Sequence, residues 1–192
     1  LDLERALKEK GFDLRGQYPR LQASFYTIKL DFEHGKVALW YGPEEEFVLA
    51  LPLDAERVAV TLIKFHQGLT VRPFNDDNFV RELYAAYLNV LKRDGRQEGD
   101  KIPITSLMAE LAYMRQDRRF RADPRRVNYK DYGRVLFSYD IFRMKKRAVQ
   151  GKRMMLATAT RLQVKDREQY LWIPVNEKGE GMVYSTIHFG GL

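Results

Sequence analysis

From Phe25 to Phe32 apolar and polar residues alternate: Tyr26, Ile28, Leu30 and Phe32 point one way, Thr27, Lys29 and Asp31 the other. A period of two puts each set on one face of a pleated chain, so the segment predicts a half-buried strand. Glu33-His34-Gly35 reads as a turn. Lys36 to Tyr41 and Phe47 to Leu51 read as two more strands, parted by Gly42-Pro43 and the acidic run Glu44-Glu45-Glu46. Together they predict a three-stranded meander. Ahead of it, Leu3, Ala6 and Leu7 share one face of a short helix that Gly11 ends, and Tyr18-Pro19 marks a loop.

The period then changes. Asp54 has the chemistry of an N-cap and Gly68 that of a residue just past a helix end. Between them Ala55, Val58, Leu62 and Phe65 form one stripe. A second helix, from Asn75 or Asp76 to about residue 93, carries Phe79, Leu83, Tyr87, Val90 and Leu91 at helical spacing. The polar run 93–100 holds two glycines and is the best internal boundary. Pro103 and Thr105 open a third helix over about 105–116, with Leu107, Met108, Leu111 and Met114 on its apolar face. Residues 121–132 read as a loop. The segments 134–143, 153–163, 169–175 and 182–189 are rich in β-branched and aromatic residues and predict four strands, connected in part through Gln150-Gly151 and Asn176-Glu177-Lys178-Gly179. The fold class is therefore α+β: an N-terminal three-stranded meander with helices over residues 1–95, then a helix, a basic loop and an antiparallel sheet of about four strands over 100–192, as two domains or one continuous one.

Charge adds what the pattern cannot. Between Arg115 and Arg153 stand 14 Lys or Arg against the four acids Asp117, Asp123, Asp131 and Asp140, a net of +10. The whole chain carries +7, so the remainder sums to −3. Charge concentrated in this way acts on partners, and a polyanion is the natural one. The candidate nucleic-acid-binding residues are Arg115, Arg118, Arg119, Arg121, Arg125, Arg126 and Lys130 in a first half, and Arg143, Lys145, Lys146, Arg147, Lys152 and Arg153 in a second. Arginine dominates the first half, which suits bidentate phosphate contacts. The order of helix, basic loop and basic hairpin resembles the outline of a winged-helix reader, with Lys145-Lys146-Arg147 as the wing; no recognition-helix signature accompanies it. Tyr129, Tyr132, Phe137, Tyr139 and Phe142 lie in or beside the segment. Aromatics among arginines hold single strands by stacking, although strand spacing points most of these to the core.

Two alternatives stand beside nucleic acid, DNA or RNA. The same basic face could dock on an acidic protein surface. Asp140, on the face of a strand that carries Leu136, Ser138 and Phe142, could be the metal-binding acid of a nuclease. That chemistry wants an acid-x-Lys pair on a neighbouring strand, and Lys165-Asp166-Arg167-Glu168 has the wrong order, so a salt bridge to a nearby arginine is the expectation. His34, His66 and His188 are widely spaced and lack metal-ligand partners at helical or strand offsets. The chain has no cysteine, no glycine-rich phosphate loop and no apolar run long enough for a membrane helix. The reading is a cytoplasmic, non-enzymatic protein with no cofactor and no metal. It begins Leu1-Asp2-Leu3 without a Met, as a piece of a longer chain or complex would.

Overall fold

The computed structural model describes residues 2–191. The chain forms two compact units: one runs to Pro73 and takes in Trp172–Met182, the other comprises Phe74–Leu171 and the chain from Val183 on.

The first unit opens with helix α1 (Asp2–Lys8), followed by strands β1 (Leu14–Gln17), β2 (Arg20–Ala23), β3 (Tyr26–Asp31), β4 (Lys36–Tyr41) and β5 (Glu46–Pro52), and helix α2 (Ala55–Thr70). The strands make one antiparallel sheet in sequence order, β1-β2-β3-β4-β5. The expected three-strand meander is present as β3, β4 and β5, and two more strands extend it. Tyr18-Pro19 is the turn of their hairpin, in which Gln17 pairs with Arg20. Register explains the core: Tyr26 lies opposite Tyr41, Ile28 opposite Leu39 and Leu30 opposite Val37, and all six are buried. Asp54 caps α2 by accepting the Arg57 N–H at 2.8 Å. Gly68 does not end that helix, which runs on to Thr70. Trp172 is gripped between Gly42 and Gly181, where an added Cβ would stand 2.9 Å and 2.4 Å from its ring, and its edge meets Tyr41 at 5.2 Å between centroids.

The second unit is built on helices α3 (Asp76–Arg93) and α4 (Ile104–Met114), which pack together, with strand β6 (Ile102–Pro103) leading into α4. A short helix α5 (Arg118–Ala122) and helix α6 (Arg134–Arg143) follow, then β7 (Ala148–Val149) and β8 (Lys152–Thr158); of the last strands, β9 (Leu171–Pro174) belongs mostly to the first unit and β10 (Gly181–Gly191) mostly to the second. The sheet order is β6-β10-β8-β7, all antiparallel, with β9 on β10. Two expectations are corrected. The C-terminal sheet has five strands, and residues 134–143 are a helix. Phe137, Ser138, Tyr139, Asp140 and Ile141 are all buried along α6, so both alternating sets of the sequence are covered. A helix covered on every side shows no stripe, and its residue types then read as a strand.

Candidate nucleic-acid interface

The basic segment leaves α4, passes through α5 and α6, and ends in the β7–β8 hairpin, all within the second unit. Asp140 organises it. The carboxylate is 1% exposed; one oxygen accepts the Tyr132 hydroxyl at 2.8 Å and the other meets the Arg143 guanidinium at 2.7 Å. Arg115, the residue after α4, reaches the same carboxylate at 3.8 Å and pairs with Glu82 of α3. Burial opposes the Arg115 charge, but Tyr132, Glu82 and Asp140 outweigh it and hold its pKa above the ordinary arginine value. Its guanidinium also lies 4.2 Å from the Tyr132 ring centroid and 5.4 Å from that of Phe79, while Arg143 lies 4.0 Å from Phe74. Cations over ring faces and at the C-terminal ends of α4 and α6 gain from both the quadrupole and the helix dipole. Asp140 is thus a helical, ion-paired core acid rather than a strand residue.

Phe74 and Phe79 flank the start of α3 with centroids 5.2 Å apart, and Arg143 and Arg115 pack on them respectively. The C-terminal ends of α4 and α6 therefore meet at the start of α3. The first basic half emerges from one and the second from the other. Asp76, in the first turn of α3, accepts the backbone N–H of Lys145 at 2.6 Å, and Asp77 pairs with Lys146. That pairing keeps the Asp77 pKa below the usual carboxylate range.

The first half is a closed loop. Gln116 is buried, and its side-chain amide donates to the Ala112 carbonyl at 2.7 Å and to the Lys130 carbonyl at 3.0 Å, while its oxygen accepts the Lys130 N–H at 2.8 Å. One side chain thus pins both polar groups of the Lys130 backbone. Asp117 caps α5 by accepting the Arg119 and Phe120 N–H groups at 2.9 and 3.1 Å, and pairs with Lys130 at 3.2 Å. The Phe120 N–H first, then Lys130, holds the Asp117 pKa down. The span Asp117–Tyr129 is therefore a compact loop whose ends are tied, of the kind that carries function on many scaffolds.

The candidate residues fall into three groups. Arg115 and Arg143 belong to the internal Asp140 cluster. Arg125, Lys130, Lys146 and Lys152 pair on the surface with Asp123, Asp117, Asp77 and Glu98 respectively, and Arg121 donates to the Met114 carbonyl at 3.0 Å. Exposed pairs of this kind contribute little to stability and leave the cation open to a stronger anion. Arg118, Arg119, Arg126, Lys145, Arg147 and Arg153 make no ion pair among the described residues, and all but Arg147 are exposed. The three residues assigned to a wing do not form a hairpin tip. They lead into β7, and the tip is Gln150-Gly151.

No known protein family, curated protein or solved structure matches the chain.

The aromatics divide cleanly. Tyr132, Phe137 and Tyr139 are buried, as the core reading expects. Tyr129 is 38% exposed, with its ring against Phe120 at 5.5 Å between centroids. Val127 beside it is 81% exposed, and nothing in the charge pattern marked it. Sequence reasoning also passed over Gln116, since glutamine is no loop marker. Elsewhere in the unit a cleft of about 1000 Å³ is lined by Thr105, Ser106, Arg134, Asp166, Gln169 and Thr186 among others. Its Asp166 accepts backbone and side-chain bonds from Glu168 and Gln169 that lower its pKa, which takes it away from acid–base work near neutrality. Among the described residues no three His, Cys, Asp or Glu side chains are grouped to hold a metal, and no helix is long and apolar enough to cross a membrane.

Proposed function

We propose that the chain is a non-enzymatic protein that binds nucleic acid, DNA or RNA, through the phosphate backbone. The observation that carries this reading is that six cations of the basic segment have no carboxylate partner among the described residues while both halves of the segment leave one end of the α3–α4–α6 cluster. Each phosphate they neutralise releases condensed counterions, and that release drives binding whatever the base sequence. The order helix, strand, three helices with α5 short, then strands, with β10 lying between β6 and β8, resembles a winged helix, and α6 would stand where such readers place the helix that enters the major groove. Burial along α6 leaves no face for base edges, so the proposal is binding without sequence reading. The cysteine-free chain suits a reducing compartment, and we place it in the cytoplasm.

A salt titration of duplex, single-strand DNA and RNA binding tests the reading. With about six phosphates neutralised, log K against log salt falls with a slope of roughly −4 to −5. Arg118→Glu with Arg119→Glu weakens binding to every probe and leaves the melting temperature near the parent's, because exposed charges contribute little to stability. Absence of binding to all three probes at about 50 mM salt refutes it. A second reading, docking on an acidic protein, draws on Tyr129: an exposed tyrosine beside arginines has the residue types enriched in protein-binding hot spots. It gains if a polyglutamate chain binds where nucleic acid does not.

A further inference from the structure

Within the proposed interface, the tied loop Asp117–Tyr129 has features that a duplex backbone does not require. Phosphates need cations, and Arg118, Arg119 and Arg126 supply them. They do not need an aromatic ring. Yet Tyr129 is 38% exposed and does not hang loose: its ring and that of Phe120 meet in an inclined, edge-type contact, and its N–H donates to the Arg126 carbonyl at 3.1 Å. Asn128 holds the opposite side of the loop by donating to the Asp123 carbonyl at 2.9 Å. Gln116 and Asp117 fasten both ends. The ring is therefore held in place before any ligand arrives, which lowers the entropy cost of stacking on it. Arg126 lies in the same tight turn as Tyr129, and Arg118 and Arg119 in the same helical turn as Phe120.

A base inside a duplex has both faces covered by its neighbours. An unpaired base has a face to offer. The helix that would enter a groove is closed, and the exposed aromatic sits among the uncompensated arginines. We infer that the loop is a clamp for single-stranded nucleic acid, in which Tyr129 stacks on one base while Arg118, Arg119 and Arg126 hold the flanking phosphates. This rests on the backbone-binding reading above and adds the ligand class to it. Gln116 is a positioning residue: it touches no ligand and sets the loop that does.

The test uses the full chain and two fluorescein-labelled probes of equal length, an oligothymidylate and a mixed-sequence duplex, followed by anisotropy at fixed salt. The parent binds the single strand more tightly. Tyr129→Leu keeps an apolar body against Phe120 but has no ring face, and it weakens oligothymidylate binding by roughly 5- to 150-fold, the range that loss of one stacked base produces, with duplex binding unchanged. Tyr129→Phe retains the parent's preference. Gln116→Leu lowers single-strand affinity and speeds tryptic cleavage within Arg118–Arg126, a sign that the loop has opened. Thermal unfolding of each variant separates loss of fold from loss of stacking. If Tyr129→Leu leaves both probes unaffected, or weakens both alike, the clamp is wrong and backbone binding stands. If the parent binds neither probe, both fall together, and the acidic protein surface takes their place.

Discussion

Asp140→Asn removes one charge from the centre of the second unit and changes almost nothing else. Asparagine has the same size and keeps an oxygen for the Tyr132 hydroxyl, which now lies 2.8 Å away. The loss falls unequally on the two arginines. Arg115 keeps Glu82, while Arg143, whose side chain is 13% exposed, keeps the Phe74 ring at 4.0 Å but loses the carboxylate at 2.7 Å. Breaking a buried pair by removing one partner costs about 3–5 kcal/mol. The retained hydrogen bond and the retained Glu82 pair bring the expected cost to about 2–4 kcal/mol. At roughly 2–4 °C per kcal/mol for a chain of this size, the melting temperature falls by about 4–16 °C. Adding Arg143→Gln recovers part of the loss, because the cation that faced the lost carboxylate is then gone. The assay is thermal unfolding followed by circular dichroism, with and without Mg²⁺ or Mn²⁺. A metal ligand behaves in the opposite way: asparagine relieves carboxylate repulsion, the variant is as stable as the parent or more so, and a metal-induced rise in the parent's melting temperature vanishes in the variant. That outcome refutes the structural role of Asp140 and with it the pairing argument for the interface.

Three further outcomes rest on local geometry. His66 accepts or donates a bond to the Tyr26 hydroxyl at 3.1 Å, and burial lowers its pKa from 6.5 against the pull of Glu177. A depressed folded-state value means that folding favours the neutral ring. The stability it contributes is therefore present above the unfolded value and lost as pH falls below about 6.5, so the first unit melts earlier at pH 5 than at pH 7 and His66→Gln flattens that part of the profile. A pH-independent parent, or a variant with the parent's slope, contradicts this. Gly181→Ala drives a Cβ to 2.4 Å from the Trp172 ring and destabilises by roughly 1–3 kcal/mol, read in denaturant. Gly68→Ala, inside α2 with nothing within 4 Å of the new carbon, stabilises by roughly 0.4–1 kcal/mol.

How much of the fold could be read from the sequence depended on whether an element shows one face to water. The strands β3 and β4 and the helices α2 and α3 each bury one side, and their periods declared them. β1 and β2 are short and largely exposed, with Leu21 and Ala23 as the buried residues of the pair, too few to show a period. For α6 the difficulty is the reverse. Val135, Phe137, Tyr139 and Ile141 alternate with Leu136, Ser138, Asp140 and Phe142, and the fold covers both sets to some degree. Without a polar face the period is silent, and β-branched and aromatic content decided wrongly. Gly68 misled as a helix end because a glycine with nothing near it is tolerated in an exposed helix interior at a cost of about 1 kcal/mol.

For the candidate interface, charge density was legible and charge pairing was not. The +10 of residues 115–153 is a sum along a line, whereas neutralisation happens in three dimensions. Glu82 stands 33 residues before Arg115, and Asp77 stands 69 before Lys146. Carboxylates arriving from such distances turn some members of a basic run into scaffold and leave the rest as surface. Arg115 and Arg143 illustrate the first fate, Arg118 and Arg126 the second, yet all four read alike in sequence. The same holds for the aromatics, where Tyr132 and Tyr129 are three residues apart and end up inside and outside. What separates them is Gln116, which binds the Lys130 backbone between the two tyrosines and fixes where the chain turns from surface to core. Gln116 thus holds the chain between an exposed ring and a core ring, which is why Gln116→Leu tests the proposed clamp more directly than any charge reversal does.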